Sequence, residues 1–310
     1  MNTPLLIAIA GPTGSGKSEL AIRVAAEFDG EVVSCDSVQI YRGFDIGTAK
    51  LRDPERHGIP HHLIDILDPE ETFSAGEFAR RARAALAGIV GRSRVPVVTG
   101  GTGFYLRALL EGLTPGPVRD DSLRERLAQR EQKRRGSLHR LLRRLDPAVG
   151  RKIHPHDTPK IARALEVRLL TGGAASLLFQ SGKDPLQGFR IVKLGLFPER
   201  AALYAGIDAR CERMFARGLL REAESLLARG CPIQAKPFES LGYRQALQAL
   251  KGELTVQQAL EETKQATRRY AKRQMTWFRR ELELVRFEGF GDDPAIQRAV
   301  SDLLRSALID

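Results

Sequence analysis

Gly11-Pro-Thr-Gly-Ser-Gly16-Lys17-Ser18 meets the pattern GxxxxGK[ST] at every fixed position. Residues of these types at this spacing hold phosphate. The glycines let backbone amides turn inward around an anion, and a helix starting there adds partial positive charge. Lys17 is placed to neutralise phosphate oxygens and Ser18 to ligate Mg²⁺. An ATPase or GTPase normally adds a second strand ending in an Asp that helps hold the metal. Here Val95–Thr99 runs into Gly100-Gly101 instead, and no guanine-selective NKxD motif occurs. The loop therefore binds phosphates without the usual hydrolysis machinery.

Three other groups of residues could do chemistry. Asp36 follows Val32-Val-Ser-Cys at the end of a second strand pattern, which places it on the rim where α/β sheets bind ligands. It could serve as a general base, a helix cap or a magnesium ligand, and spacing alone does not choose. Gly100-Gly-Thr-Gly103 follows the third strand and permits either close approach to a ligand or a tight strand-to-helix turn. Lys264–Arg280 holds seven basic residues and no acid, with Tyr270, Trp277 and Phe278 interleaved. Such a run suits RNA, whose phosphates need cations and whose unstacked bases rest on rings, but a solvated cationic helix has the same composition. His61-His62 and His154-Pro-His156 lack the acidic or cysteine partners of a metal site and are read as ordinary polar residues.

The elements that must position these groups alternate. Leu5–Ala10 is a short apolar run ending at glycine, as in a strand buried on both faces of a parallel sheet. Helical spacing follows over Ser18–Phe28, then strand patterns at Glu31–Cys35 and Val95–Thr99, with a helix over Ser74–Val90 between them. This predicts an α/β fold of the P-loop NTPase-like type, a parallel sheet flanked by helices. Near Pro115-Gly-Pro117 the character changes. Between Arg119 and Arg144 there are ten Lys or Arg against four acids, and no strand pattern until Phe189–Phe197. We therefore expect a core over 1–117 and 189–310 and an all-helical insertion over 118–188. Beyond Phe197 the pattern is helical at 207–229, 240–250, 255–283 and 294–308.

The 310 residues are 42% apolar and 28% charged, enough for a sizeable core. No apolar run approaches a bilayer span, and the first ten residues do not read as a signal peptide. Cys35, Cys211 and Cys231 have no paired or zinc-type spacing, which favours a reducing cytoplasm over a disulfide framework. The net charge of +11 and pI near 9.9 favour a polyanionic partner.

Several stretches together resemble the bacterial tRNA dimethylallyltransferases. They are Gly11–Ser18, Asp36-Ser-Val-Gln-Ile-Tyr-Arg-Gly43, Asp45-Ile-Gly-Thr-Ala-Lys50, His62-Leu-Ile-Asp65 and Gly100-Gly-Thr-Gly-Phe-Tyr-Leu106. Further on come His154-Pro-His-Asp157, Arg163-Ala-Leu-Glu-Val167, Gly242-Tyr-Arg244 and Thr267-Arg-Arg-Tyr-Ala-Lys-Arg-Gln-Met-Thr-Trp277. They run in family order over most of the chain. Departures are small: Asp157 is followed by Thr-Pro-Lys160, and the stretch after Thr171-Gly172 is looser than usual.

The resemblance implies displacement of pyrophosphate from dimethylallyl diphosphate by the exocyclic amine of the adenine 3′ of the anticodon. On that reading Gly11, Pro12, Thr13, Gly14, Ser15, Gly16, Lys17 and Ser18 bind the diphosphate rather than a nucleotide, with Mg²⁺ at Ser18. Asp36 is the base, and Thr13 and Arg210 assist the leaving group. Ser37, Val38 and Gln39 line the base pocket beside Asp36, and Thr102 touches the nucleotide. Arg124 with Lys160, Ile161, Ala162, Arg163 and Ala164 grips the anticodon stem-loop. Tyr243, Arg244, Lys272, Arg273 and Gln274 add RNA contacts. The same reading implies a cytoplasmic monomer with no membrane partner. A nucleoside or small-molecule kinase would leave both basic regions without a use, and a guanine-nucleotide switch lacks its motif. An isoprenoid-chain synthase lacks its DDxxD cluster, since Asp120-Asp121 runs into Ser-Leu-Arg.

Overall fold

A computed structural model describes residues 3–114, 116–178, 182–281 and 283–309. Six strands form one sheet: β1 (Leu5–Ala10), β2 (Gly30–Ser34), β3 (His61–His62), β4 (Val95–Gly100), β5 (Arg190–Leu196) and β6 (Leu284–Phe287). Their order is β3-β2-β4-β1-β5-β6, and every pairing is parallel. β1 lies between β4 and β5 and is buried at all six positions, which is why its sequence is apolar without alternation. Leu5, Ile7 and Ile9 pack with Leu20 and Val24 of α1 (Lys17–Glu27) and with Val300 and Leu304. The pleat turns the equally buried Leu6, Ala8 and Ala10 to the opposite face.

The register decides where the chemistry gathers. Ala10 pairs with Gly100, and Ser34 pairs with Thr99. The carboxyl ends of β1, β2 and β4 therefore finish level with one another. The phosphate loop, Asp36 and the Gly100–Gly103 turn leave the sheet on one rim.

The remaining helices of this part are α2 (Ala75–Gly91) and α3 (Gly103–Leu110), then, after the insertion, the five helices that follow β5. The insertion holds α4 (Asp121–Lys133), α5 (Ser137–Leu145), α6 (Pro147–Lys152), α7 (Thr158–Thr171) and α8 (Ala175–Leu178). After it come α9 (Arg200–Ala216), α10 (Leu219–Ala228), α11 (Tyr243–Leu250), α12 (Val256–Phe278) and α13 (Pro294–Ile309). The chain divides into two units, Met1–Leu110 with Leu186–Asp310, and Glu111–Pro185. The division falls a few residues before the expected 117/118 and 188/189. Leu186 N donates to Leu110 O at 2.9 Å, so the first unit closes on itself ahead of the Pro-Gly stretch. Pro115 of that stretch, and residues 179–181 after Thr171-Gly172, lie outside the described residues.

Three elements differ from expectation. The 207–229 helix is two helices, because Gly218 adopts φ 97° between α9 and α10. β6 falls between the helical patterns at 255–283 and 294–308, where no element was assigned, and β3 was not expected as a strand. Two or four residues at a sheet edge carry no usable periodicity, so only their neighbours define them. No helix among the described residues is long and apolar enough to cross a membrane.

Candidate active site

The phosphate loop is shaped from within. Ser15 Oγ donates to Pro12 O at 2.9 Å, and Lys17 Nζ donates to the same carbonyl at 2.5 Å. Gly16 precedes α1 at φ 77°, and a Cβ there would stand 2.7 Å from Gly291 N. Only glycine fits that position, where both the backbone angle and the neighbouring chain exclude a side chain. No side chain caps α1, so its first amides stay available to an anion.

Two cations reach this loop. Arg210, from α9, donates to Thr13 Oγ1 at 3.1 Å and to Thr48 O at 3.4 Å. Neither Arg210 nor Lys17 forms an ion pair among the described residues. Burial first, and then the Arg210 charge, pull the Lys17 ammonium down to about 7, with Asp36 acting in the opposite direction. Burial also lowers the Arg210 guanidinium. Two recessed cations, one of them depressed by the other, constitute a site for an anion.

Asp36 resolves part of the question left by the sequence. Its Oδ1 accepts from Val38 N at 2.8 Å and from Gln39 N at 3.2 Å, so it does cap the turn that follows β2. The other oxygen has no protein partner among the described residues. Capping by one oxygen orients the second, and the two roles are compatible. Thr102 Oγ1 accepts from Ser37 N at 3.3 Å, which ties the Gly100–Gly103 turn to this one. Gln39 Nε2 donates to Thr48 O at 3.2 Å. Lys50, almost wholly buried, pulls the loop closed by donating to Tyr41 O at 2.9 Å, Asp45 at 2.7 Å and Asp65 at 2.5 Å.

Two cavities meet at these residues. One of about 490 Å³ contains the loop, including Lys17 and Ser18, with Asp36 and Arg210. A second of about 280 Å³ contains Asp36, Ser37, Val38, Cys211 and Leu241. Thr13, Asp36, Thr48, Arg210, Met214 and Tyr270 border both. The arrangement joins the pocket of the glycine-rich loop to a less polar one across a single carboxylate. Arg213 and Arg217 line the larger cavity and were not singled out by sequence; Tyr270 of the aromatic-cationic run and Thr48 of the Asp45–Lys50 motif line it too. Arg210, Arg213 and Arg217 recur at helical spacing, a signal that was available.

A model of the IPP transferase family matches residues 39–281, and one of isopentenyl transferase matches residues 4–65. The tRNA dimethylallyltransferase of Solibacter usitatus is 58% identical over 96% of this chain and 97% of its own length. That of Koribacter versatilis is 51% identical over 99% and 100%. The chain belongs to the IPP transferase family. Among solved structures, the tRNA isopentenylpyrophosphate transferase of Bacillus halodurans superposes with TM-score 0.71 at 36% identity, covering 97% of each chain. A eukaryotic dimethylallyltransferase acting on tRNA gives TM-score 0.83 at 28% identity, covering 98% of this chain and 80% of that one.

Within this IPP transferase several residues expected to touch RNA are engaged otherwise. Tyr243 is fully buried; its hydroxyl accepts from Gly47 N at 3.1 Å and donates to Glu222, which also takes Ile46 N. It holds the loop carrying Thr48 and presents nothing to a partner. Ile161 and Ala164 are core residues of the helical unit, packed with Leu127, Leu142 and Leu165. Arg124 and Arg163 both bind the buried Glu166, at 2.7 and 2.6 Å. Gln274 is buried between two loops of the site. Ala162 is half-buried, while Lys160, Arg244, Lys272 and Arg273 are exposed.

The cationic run of α12 divides between its two readings. Lys264 pairs with Glu212 at 2.8 Å and Arg268 with Asp208 at 2.5 Å, fastening α12 to α9. Arg269, Lys272, Arg273, Arg279 and Arg280 face outward. Of the aromatics, Phe278 is in the core and Trp277 lies under the Arg107 guanidinium, 4.6 Å from its ring centroid, while Tyr270 borders both cavities. His61 and His62 serve packing, against Ile59 O at 2.8 Å and Glu31 at 2.7 Å.

Proposed function

We propose that this chain transfers the dimethylallyl group of dimethylallyl diphosphate to the exocyclic amine of the adenine 3′ of the anticodon in tRNA. The observation that carries the reading is the pair of recessed cations, Lys17 and Arg210, bordering one cavity with a carboxylate oxygen of Asp36 that no group among the described residues engages. A diphosphate supplies the missing charge. Thr13, fixed by Arg210, would assist the leaving oxygen. The adenine amine is a weak nucleophile because its lone pair is delocalised into the ring, so its attack needs a base and a stabilised leaving group. As the nitrogen bonds to the allylic carbon, the carbon–oxygen bond breaks and its electrons leave with pyrophosphate. Asp36 accepts the amine proton.

Mg²⁺ fits the residues present. Ser18 borders the phosphate cavity, and among the described residues no cluster of three His, Cys, Asp or Glu competes for the ion. Magnesium held by one hydroxyl and by substrate phosphates is a common arrangement, and it would neutralise charge on the departing pyrophosphate. The adenine must leave its stack to reach Asp36. The outward cations of α12 and of the helical unit, Arg134 and Arg135 among them, would hold the anticodon stem-loop.

The test uses purified protein, Mg²⁺, unmodified tRNA and radiolabelled dimethylallyl diphosphate. Label is expected in tRNA and should vanish when the adenine 3′ of the anticodon is replaced. Absence of label together with ATP consumption would instead favour the kinase reading.

A further inference from the structure

Gln274 sits among the outward cations of α12, yet its own amide points inward and is 6% exposed. Its Oε1 accepts from Thr13 N at 2.8 Å, and its Nε2 donates to Gly101 O at 2.8 Å. These partners fix the amide's orientation, since a backbone N–H only donates and a carbonyl only accepts. The contact is also sterically specified: a Cβ at Gly101 would stand 2.3 Å from Nε2 and displace the amide.

The two partners belong to opposite halves of the reaction. Thr13 carries the hydroxyl held by Arg210, on the leaving-group side. Gly101 precedes Thr102, whose hydroxyl takes Ser37 N beside Asp36, on the base side. One side-chain amide thus spans the gap between the loop that holds the diphosphate and the turn that holds the base. Displacement at carbon needs nucleophile, carbon and leaving oxygen in line, and a misplacement near 1 Å costs about a hundredfold in rate.

We infer that Gln274 is a positioning residue that sets the spacing between Thr13 and Asp36, acting on the chemical step through the two loops and not through contact with RNA. The inference rests on the prenyl-transfer reading of the site. Two variants separate the hydrogen bonds from the packing. Gln274→Met keeps length and volume but neither hydrogen bond. Gln274→Glu keeps the acceptor for Thr13 N and turns a carboxylate toward the Gly101 carbonyl.

The measurement is the single-turnover rate of label transfer at saturating tRNA and dimethylallyl diphosphate, alongside the Kd of each substrate and the salt dependence of tRNA binding. Both variants are expected to lose about 10–100-fold in rate while both Kd values and the salt slope stay at wild-type levels. Wild-type single-turnover rates in both variants would overturn the inference. So would weakened tRNA binding with a shallower salt slope and an intact rate, which would make Gln274 an RNA contact. A wild-type protein that transfers no label counts against the prenyl-transfer reading itself, and that control is read before either variant.

Discussion

With one oxygen Asp36 caps its own turn, and with the other it borders the cavities, so substitutions can separate the two duties. Asp36→Asn retains an acceptor for Val38 N and Gln39 N but cannot take a proton. Turnover should fall by roughly 10²–10⁴ with tRNA affinity and thermal stability nearly intact. Asp36→Ala should lose the same turnover and in addition about 1 kcal/mol of stability from the missing cap. Undiminished turnover in the Asn variant would remove Asp36 from the chemistry. Lys17 gives a second prediction. Its ammonium titrates at about 7 in the free protein, so it is largely neutral at pH 8. A bound diphosphate favours the charged form and raises that value, so binding at pH 8 should take up a proton, and binding at pH 6 should take up almost none. Calorimetry in buffers of different ionisation enthalpy reads this directly. A binding enthalpy independent of buffer at pH 8 would refute it.

At the scale of elements, Glu166 of α7 shows how the helical unit is tied together. It is wholly buried and accepts from Arg124, Arg163 and Asp120 N. Burial alone would raise its carboxyl, but Arg124, Arg163 and the Asp120 amide hold it down at about 2. A carboxyl depressed on folding contributes stability that is complete above its unfolded value, about 4.3, and is lost as pH falls toward 2. Glu166→Gln should therefore destabilise the protein by about 1.5–3 kcal/mol at pH 7 and by progressively less as the pH falls from about 4 to 2. Thermal melts across that range check the sign; a constant difference at every pH would deny the ionic role. Arg124 and Arg163 were expected at the RNA; what the structure shows is their pairing with Glu166, and helical spacing explains it. Arg163 and Glu166 are three apart on one turn, and Arg124 lies one helix away, so a buried carboxylate gathers both.

At the scale of the molecule, charge and topology divide the work. A chain of net charge +11 attracts a polyanion over its whole surface, but only outward cations release counterions on binding. Arg134 and Arg135 are exposed in the helical unit. Replacing both with Ala should reduce the slope of log affinity against log salt for tRNA by roughly 1–2 while leaving turnover at saturation unchanged. An unaltered slope would return that run to a solvated face. The sheet makes the complementary contribution: three strands ending level bring residues 11–18, 36 and 100–103 to one rim from distant parts of the chain.

The sequence by itself determined the phosphate loop, the parallel α/β core, the helical insertion and the carboxylate at the end of β2. Each of these rests on local information: a fixed glycine spacing, an apolar run without alternation, a change in composition. It also carried the motifs that suggested the family to which the relatives assign the chain. Tertiary structure alone decided which polar residues face the cavities and which face the protein. Tyr243, Gln274, Arg124 and Arg163 have surface-type side chains whose partners lie far away in sequence or a helix away in space, and a motif does not record the direction of a side chain. The short edge strands β3 and β6 were settled the same way. A residue's chemistry is written in its type, but its partner is set by packing.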